Sequence, residues 1–176
     1  MQDEKIVTIL TPTYNRGGLL LRLYGSLLQQ TQKNFEWLIV DDGSTDDTEK
    51  TISSWMMERS LSIRYIRKDN GGKHTALNRG IREIETPLTF IVDSDDWLSK
   101  DAVETIQGYY ERYCSQRDTN DRADKEKKER LCGFSFLRVG SDGKVNEGEF
   151  PIDDHVAAYR DERINAGLLG DKAEVY

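Results

Sequence analysis

The sequence predicts an α/β domain built on a largely parallel sheet, and two features carry that prediction. Apolar runs of five or six residues alternate with longer stretches whose apolar positions recur at helical spacing, the pattern of β-α-β crossovers. Two of those runs also end in clustered carboxylates, Asp41-Asp42 and Asp93-Ser94-Asp95-Asp96. Like charges crowded at a strand tip repel, so something must offset them. A divalent cation with oxygen ligands is the expected partner.

Each element follows from its local pattern. Ile6-Val7-Thr8-Ile9-Leu10 is a β-branched apolar run and reads as a buried strand, broken at Thr11-Pro12-Thr13-Tyr14-Asn15 because proline cannot donate to a ladder. Residues 17–30 form a helix with Leu20, Leu23, Tyr24, Leu27 and Leu28 inward. Residues 35–40 are the second strand. Ser44 is then the expected cap of a helix that carries Ile52, Trp55 and Met56. Residues 61–66 alternate as a strand with one wetter face, and Asn70-Gly71-Gly72 is a turn. A helix over 73–83 carries Ala76, Leu77, Ile81 and Ile84 inward, Pro87 punctuates, and 88–92 is a strand. A further helix runs from Lys100 to about Tyr113.

The pattern then changes. Residues 111–130 hold six acids and seven bases with almost no apolar side chains, and read as an exposed helix extension or a disordered loop. Residues 131–139 read as a strand turned by Gly140-Ser141-Asp142-Gly143. From 144 to 176 only a short helix near Val156–Tyr159 is expected. The division that results is 1–110 as a ligand-binding half, 111–130 as a charged connection, and 131–176 as the start of a second half.

Composition narrows the function. The net charge of -7 argues against a nucleic-acid binder, which normally carries a basic excess. Cys114 and Cys132 lack CxxC spacing and read as unpaired thiols of a reducing compartment, and His74 and His155 are too few for a zinc cluster. The chain shows neither an apolar leader nor eighteen consecutive apolar residues, so a cytoplasmic location is expected, with membrane contact at most peripheral at the inner face.

In an open parallel sheet, ligands bind at the carboxyl ends of the strands. Thr11 to Asn15, Asp41-Asp42 and Asp93 to Asp96 all occupy such ends and are expected to converge on one edge. Asp46-Asp47 and Asn70 serve equally well as local caps and turns. A nucleotide-sugar donor would use the converging groups in order. Tyr14 would stack on the base, and Asp42 would accept a hydrogen from it. Asp93 would hold ribose hydroxyls, while Asp95 would bind a cation bridging the two phosphates. Mg²⁺ or Mn²⁺ suits such oxygens and would act as a Lewis acid on the departing diphosphate. The glycines of Asn70-Gly71-Gly72-Lys73-His74 allow close backbone approach, and Lys73 and Arg79 are candidates to meet phosphates. His74 reads as a surface or packing residue.

Taken together, Thr11-Pro12-Thr13-Tyr14-Asn15-Arg16, Val40-Asp41-Asp42-Gly43-Ser44, Asn70-Gly71-Gly72 with Ala76-x-Asn78-x-Gly80, and Asp93-Ser94-Asp95-Asp96 resemble the family 2 glycosyltransferases over about residues 5–105. The resemblance implies a GT-A fold, a Rossmann-like three-layer α/β/α sandwich with a mixed, mostly parallel sheet. It implies metal-dependent transfer of a sugar, with inversion, from a nucleotide diphosphate donor (a UDP-sugar above all) to an acceptor hydroxyl. The acceptor would be a glycan or lipid-linked molecule of envelope polysaccharide synthesis. In relatives, positions matching Pro12, Tyr14 and Asp42, with Asp41 beside them, line the base, and Asp93-Ser94-Asp95 matches the family's metal-binding DxD. The whole expected nucleotide-sugar-binding set is Thr11, Pro12, Tyr14, Asn15, Asp41, Asp42, Gly72, Lys73, Asn78, Asp93 and Ser94, with Asp95 and Asp93 on the metal. An inverting transfer also needs a general base. In relatives that base follows the DxD by about ninety residues or more, so here it is expected outside the chain, with Asp153-Asp154 and Asp161-Glu162 poor substitutes. The sequence is expected to be a piece of a longer protein, binding donor without the whole catalytic apparatus.

Other classes fit less well. A sugar-nucleotide nucleotidyltransferase wants a glycine-rich basic loop after the first strand, where this chain has Thr-Pro-Thr-Tyr-Asn. A phosphoacceptor receiver wants an acidic pair at that same place. A non-catalytic module, a degenerate transferase that retains the fold alone, has little reason to keep the self-repelling acids of Asp93 to Asp96, and a non-catalytic donor-binding fragment stays as the alternative.

Overall fold

The computed structural model describes residues 5–113, 133–140, 142, 144–145 and 172–176. The chain divides into two compact units, Met1–Gly133 with Val175–Tyr176, and Phe134–Glu174.

In the first unit, strands β1 (Val7–Thr13), β2 (Phe35–Asp41), β3 (Ile63–Arg67) and β4 (Leu88–Ile91) alternate with helices α1 (Gly17–Leu28), α2 (Thr48–Glu58) and α3 (Lys73–Ile81), and α4 (Ala102–Tyr113) follows. The strands are parallel in the order β3-β2-β1-β4. β1 is buried throughout its length and pairs on both edges, from Val7↔Phe35 to Thr13↔Asp41 on one side and from Val7↔Leu88 to Leu10↔Ile91 on the other. Every one of these strands therefore points its carboxyl end the same way, as the crossovers required.

β1 runs through Pro12 to Thr13, three residues beyond Leu10, where it was expected to end. Leu10 O accepts from Val92 N while Thr13 O accepts from Asp42 N, so alternate residues address alternate neighbours. Pro12, two residues after Leu10, turns its missing donor toward β4, beyond that strand's last paired residue. No ladder bond is lost there.

Side-chain alternation builds the layers. Leu10, Leu38 and Val40 face α3 and pack with Ala76, flanked by Ile66, Leu77, Ile84 and Ile91. Helix and sheet meet closely at Gly80, where an added Cβ would lie 2.4 Å from Leu10 Cδ1. On the opposite face Trp37 stacks with Tyr24 of α1 and Trp55 of α2, at centroid distances of 6.2 and 5.8 Å. Thr11, on that same face, accepts a hydrogen bond from Trp37 Nε1 at 3.0 Å. Gln30 ties α1 to the start of α4 by accepting from Val103 N and donating to Ser99 O.

The structure corrects several expectations. Leu28, Met56 and Ile81 are exposed rather than inward. Each lies beside the stripe that makes the contact: Leu20, Leu23 and Leu27 in α1, Ile52 and Trp55 in α2, Ala76 and Gly80 in α3. Ser44 does not cap α2. Asp46 Oδ1 accepts from Thr48 N and Thr48 Oγ1 instead, and Ser44 Oγ receives Asn15 N. Strand 61–66 is observed as β3, shifted two residues later at its start, and α4 begins at Ala102.

The stretch expected to lack a strand ends in β6 (Lys172–Val175). Its Val175 pairs antiparallel with Phe90, and the bonds Tyr176 N to Thr89 O and Thr89 N to Tyr176 O extend the pairing. The sheet is thus mixed and mostly parallel. In the second unit, β5 (Phe134–Leu137) answers to the expected strand over 131–139, and Gly140 N bonds to Lys144 O where the turn was expected. Residues 114–132, the segment near Val156–Tyr159, and the Asp153-Asp154 and Asp161-Glu162 pairs lie outside the described residues.

Candidate functional site

The carboxyl ends of β1, β2 and β4 and the start of α3 surround a pocket of about 630 Å³. Of the expected set it gathers Pro12, Tyr14, Asp42, Gly72, Lys73, Asp93, Ser94 and Asp95, and adds Thr13, Arg16, Asn70 and Ala76. Tyr14 stands at the opening with nearly half its surface exposed. Its ring is free to lie against a flat group.

Thr11, Asn15, Asp41 and Asn78 do not line this pocket. Thr11 is spent on Trp37. Asp41 accepts from Ser44 N at 2.8 Å and from the Tyr65 hydroxyl at 2.6 Å, behind the pocket wall. Burial, then the bond to Asp41, pushes the Tyr65 hydroxyl far above the ordinary phenol value. Asn15 has φ 51° and its Oδ1 accepts from Thr45 N at 2.7 Å, which ties the β1 loop to the β2 loop. Asn78 is exposed on α3.

Asp42 does line the pocket, but its carboxylate is already heavily engaged. Lys68 Nζ donates to Oδ1 at 2.5 Å, Gly71 N reaches Oδ1 at 3.0 Å, and Gly72 N reaches Oδ2 at 2.6 Å. Burial alone would raise this acid. The bonds from Lys68, Gly71 and Gly72 outweigh it and hold the carboxyl below the ordinary value. Asp42 thus folds the 68–72 loop over the sheet edge. Two left-handed glycines make that path possible: Gly72 at φ 94°, and Gly43 at φ 82°, where a side chain would also meet Asn70 N at 2.9 Å.

The acidic tip of β4 is arranged differently. Asp96 N bonds to Asp93 O, turning the chain so that Asp93 and Asp95 both line the pocket while Ser94 is buried between them. Lys73 Nζ lies 2.6 Å from Asp93 Oδ1 and 2.8 Å from Oδ2. Arg16 Nη1 lies 3.2 Å from Asp95 Oδ1 and 3.4 Å from Ser94 Oγ. The repulsion that the sequence seemed to leave to a metal is therefore met by two side-chain cations. Among the described residues no three His, Cys, Asp or Glu side chains gather as a metal cluster.

The donor chemistry still fits a hard divalent cation. Two carboxylates at a pocket mouth, with phosphate and water completing the shell, is how Mg²⁺ is commonly held. Arg16 and Lys68 were given no role by sequence reasoning. Arg16 carried one usable signal, a base directly after Tyr14-Asn15 at the mouth of a helix. Lys68 carried none beyond its place after a strand.

Comparison with known proteins agrees with this geometry. A family model described as "Glycosyl transferase family 2" matches residues 8–163. Glycosyltransferase GlyA of Streptococcus pneumoniae serotype 4 is 38% identical over 104 residues, 59% of this chain and 15% of that protein. The poly(ribitol-phosphate) β-N-acetylglucosaminyltransferase TarS of Staphylococcus aureus is 26% identical over 110 residues, 61% of this chain and 19% of that protein. A structure of TarS 1–349 in complex with UDP superposes with a TM-score of 0.57 at 25% identity, covering 61% of this chain and 32% of that one. The mannosyltransferase PcManGT of Pyrobaculum calidifontis, in complex with GDP-Man and Mn²⁺, superposes with a TM-score of 0.56 at 25% identity, over the same shares. The chain thus spans about a third or less of the length of these relatives.

Proposed function

The chain belongs to glycosyl transferase family 2 and has the GT-A fold, and on that premise we propose that its pocket binds a UDP-sugar with a divalent cation. The sugar passes, with inversion, to an acceptor hydroxyl during synthesis of an envelope glycan or polysaccharide. One observation carries the reading. The stacking surface of Tyr14, the loop clamped by Asp42 and the acidic tip of β4 with its two cations all face one pocket. A base needs the first two, a ring to stack on and polar groups at its edge, and a ribose with a metal-bound diphosphate needs the third.

In this reading Tyr14 and Pro12 flank the base, Asn70 and Gly72 offer polar groups to its edge, and Asp93 meets the ribose. Asp93 and Asp95 hold Mn²⁺ or Mg²⁺, which when bound neutralises charge on the departing diphosphate. Lys73 and Arg16 supply further positive charge to the phosphates. The UDP complex of TarS and the GDP-Man and Mn²⁺ complex of PcManGT support donor and cation alike. The general base for the acceptor hydroxyl is assigned outside the described residues, with the second unit as the start of the acceptor half. The same reading puts transfer on the cytoplasmic side, with membrane contact at most peripheral, as a proposal that fractionation of the expressed protein would test. Among the described residues no helix is long and apolar enough to cross a membrane.

Titration calorimetry of UDP with and without Mn²⁺ tests the reading. Micromolar binding that needs the metal and falls at least tenfold in Asp95→Ala, with unfolding unchanged, is the expected result. Equal binding with and without metal, or a preference for ATP or NAD over UDP, would sink it.

A further inference from the structure

We propose that Lys73 and Arg16 are positioning residues that exchange partners: they hold Asp93 and Asp95 before loading and pass to the diphosphate when the metal takes the carboxylates. The inference rests on the metal-nucleotide reading of this pocket and adds to it how the pocket is kept ready.

Geometry favours the exchange. Lys73 Nζ sits within 2.8 Å of both oxygens of Asp93. A divalent ion binds carboxylate oxygen at about 2.0–2.2 Å. An ammonium and a dication on the same two oxygens would repel, which favours moving the ammonium onto a nearby anion. Arg16 touches one oxygen of Asp95, Oδ1 at 3.2 Å, and a dication on that carboxylate would repel it in the same way.

Geometry also makes the exchange cheap. The side chains of Lys73 and Asp93 are 58% and 39% exposed, and those of Arg16 and Asp95 are 45% and 52% exposed. Ion pairs in that setting contribute little to stability. The backbone beneath each cation is nevertheless fixed. Arg16 O accepts from Leu19 N and Leu20 N to open α1, and Gly72 O accepts from Thr75 N and Ala76 N to open α3. Two anchored stems carry two movable heads, and both heads line the pocket in which the diphosphate must lie.

Charge balance gives the direction. The two acids and two bases cancel. A divalent ion alone would leave the pocket strongly positive, whereas the same ion with a diphosphate brings it back toward neutrality. Lys73 and Arg16 therefore disfavour metal without nucleotide and favour the two together. The pair Lys68–Asp42 cannot exchange in this way. Its side chains are 22% and 4% exposed, and Asp42 is also gripped by two backbone amides.

The test measures Mn²⁺ binding by the loss of its free paramagnetic resonance signal, alone and with UDP, in the wild-type chain, Lys73→Met, Arg16→Met and Lys73→Arg. Removing either cation should tighten Mn²⁺ alone by about two- to fivefold. It should also weaken UDP at saturating Mn²⁺ by about tenfold. Lys73→Arg should behave as wild type in both. Opposite signs in one variant are the signature, since a residue acting only on phosphate would leave Mn²⁺ alone unchanged. Unchanged or weaker Mn²⁺ binding in both Met variants overturns the exchange while the nucleotide reading stands. Failure of the wild-type chain to bind Mn²⁺ with UDP overturns the nucleotide reading itself, and the exchange with it.

Discussion

Asp41 and Asp42 close β2 almost without solvent contact, at 0% and 3% exposure, whereas Asp93 and Asp95 close β4 with side chains 39% and 52% exposed. In sequence the two ends are alike: an apolar strand running into neighbouring carboxylates. In the structure the first pair is saturated by hydroxyl and backbone donors together with the largely buried Lys68, while the second is balanced by two exposed cations. Buried acids with several fixed partners are architecture. Half-exposed acids with one mobile partner each are the groups a ligand can claim. The same residue type at the same sheet edge does different work because burial and partner type differ.

The sharpest break in that comparison is Asp42→Ala. It strips Lys68 Nζ and the amides of Gly71 and Gly72 of their shared acceptor, and leaving such partly buried donors without it costs about 1–3 kcal/mol. Urea unfolding should show that loss, and UDP binding should fall with it because the 68–72 loop is no longer held. Asp93→Asn, by contrast, should move stability by less than about 0.5 kcal/mol. Similar losses from the two substitutions would erase the distinction drawn between the two strand ends.

A smaller effect separates them by pH. Asp42 has its carboxyl held below the ordinary value in the folded chain, so the unfolded chain binds the proton more readily. The stabilisation is complete above the unfolded carboxylate value of about 3.9 and is lost as pH falls through the lowered folded value. Unfolding free energy followed from pH 6 to pH 2 should show an acid slope that Asp42→Asn reduces. A slope identical in the two proteins would mean that the clamp carries no linked proton.

The sequence already displayed most of this fold. Helical spacing in α1 through Leu20, Leu23 and Leu27, and the apolar β2 run from Phe35 to Val40, are strong signals, and both elements are where they were expected. The converging strand ends were legible too, because carboxylates after buried strands have few bland explanations. What failed was parity. Thr11 and Asp41 stand at strand positions on the Trp37 face, so they point at Trp37 and Tyr65 rather than into the pocket. The motifs mark the strand ends, and alternation along each strand helps decide which of their side chains line the pocket.

β6 was missed for a different reason. Four residues, Lys172 to Val175, hold too little pattern to announce a strand, and Val175 pairs with Phe90 of β4, far away in the chain. The cations escaped as well. A lysine or arginine near a site looks like any solvated side chain until the fold sets it against an acid.

The most direct test is a crystal of this chain grown with UDP and Mn²⁺, with the metal located by anomalous scattering. The account predicts a manganese peak about 2.1 Å from Asp95 and Asp93 oxygens, the diphosphate beside Lys73 and Arg16, and the bonds of Asp42 to Gly71 and Gly72 intact. A peak away from the β4 tip, or UDP bound outside the pocket with Lys73 still on Asp93, would contradict it.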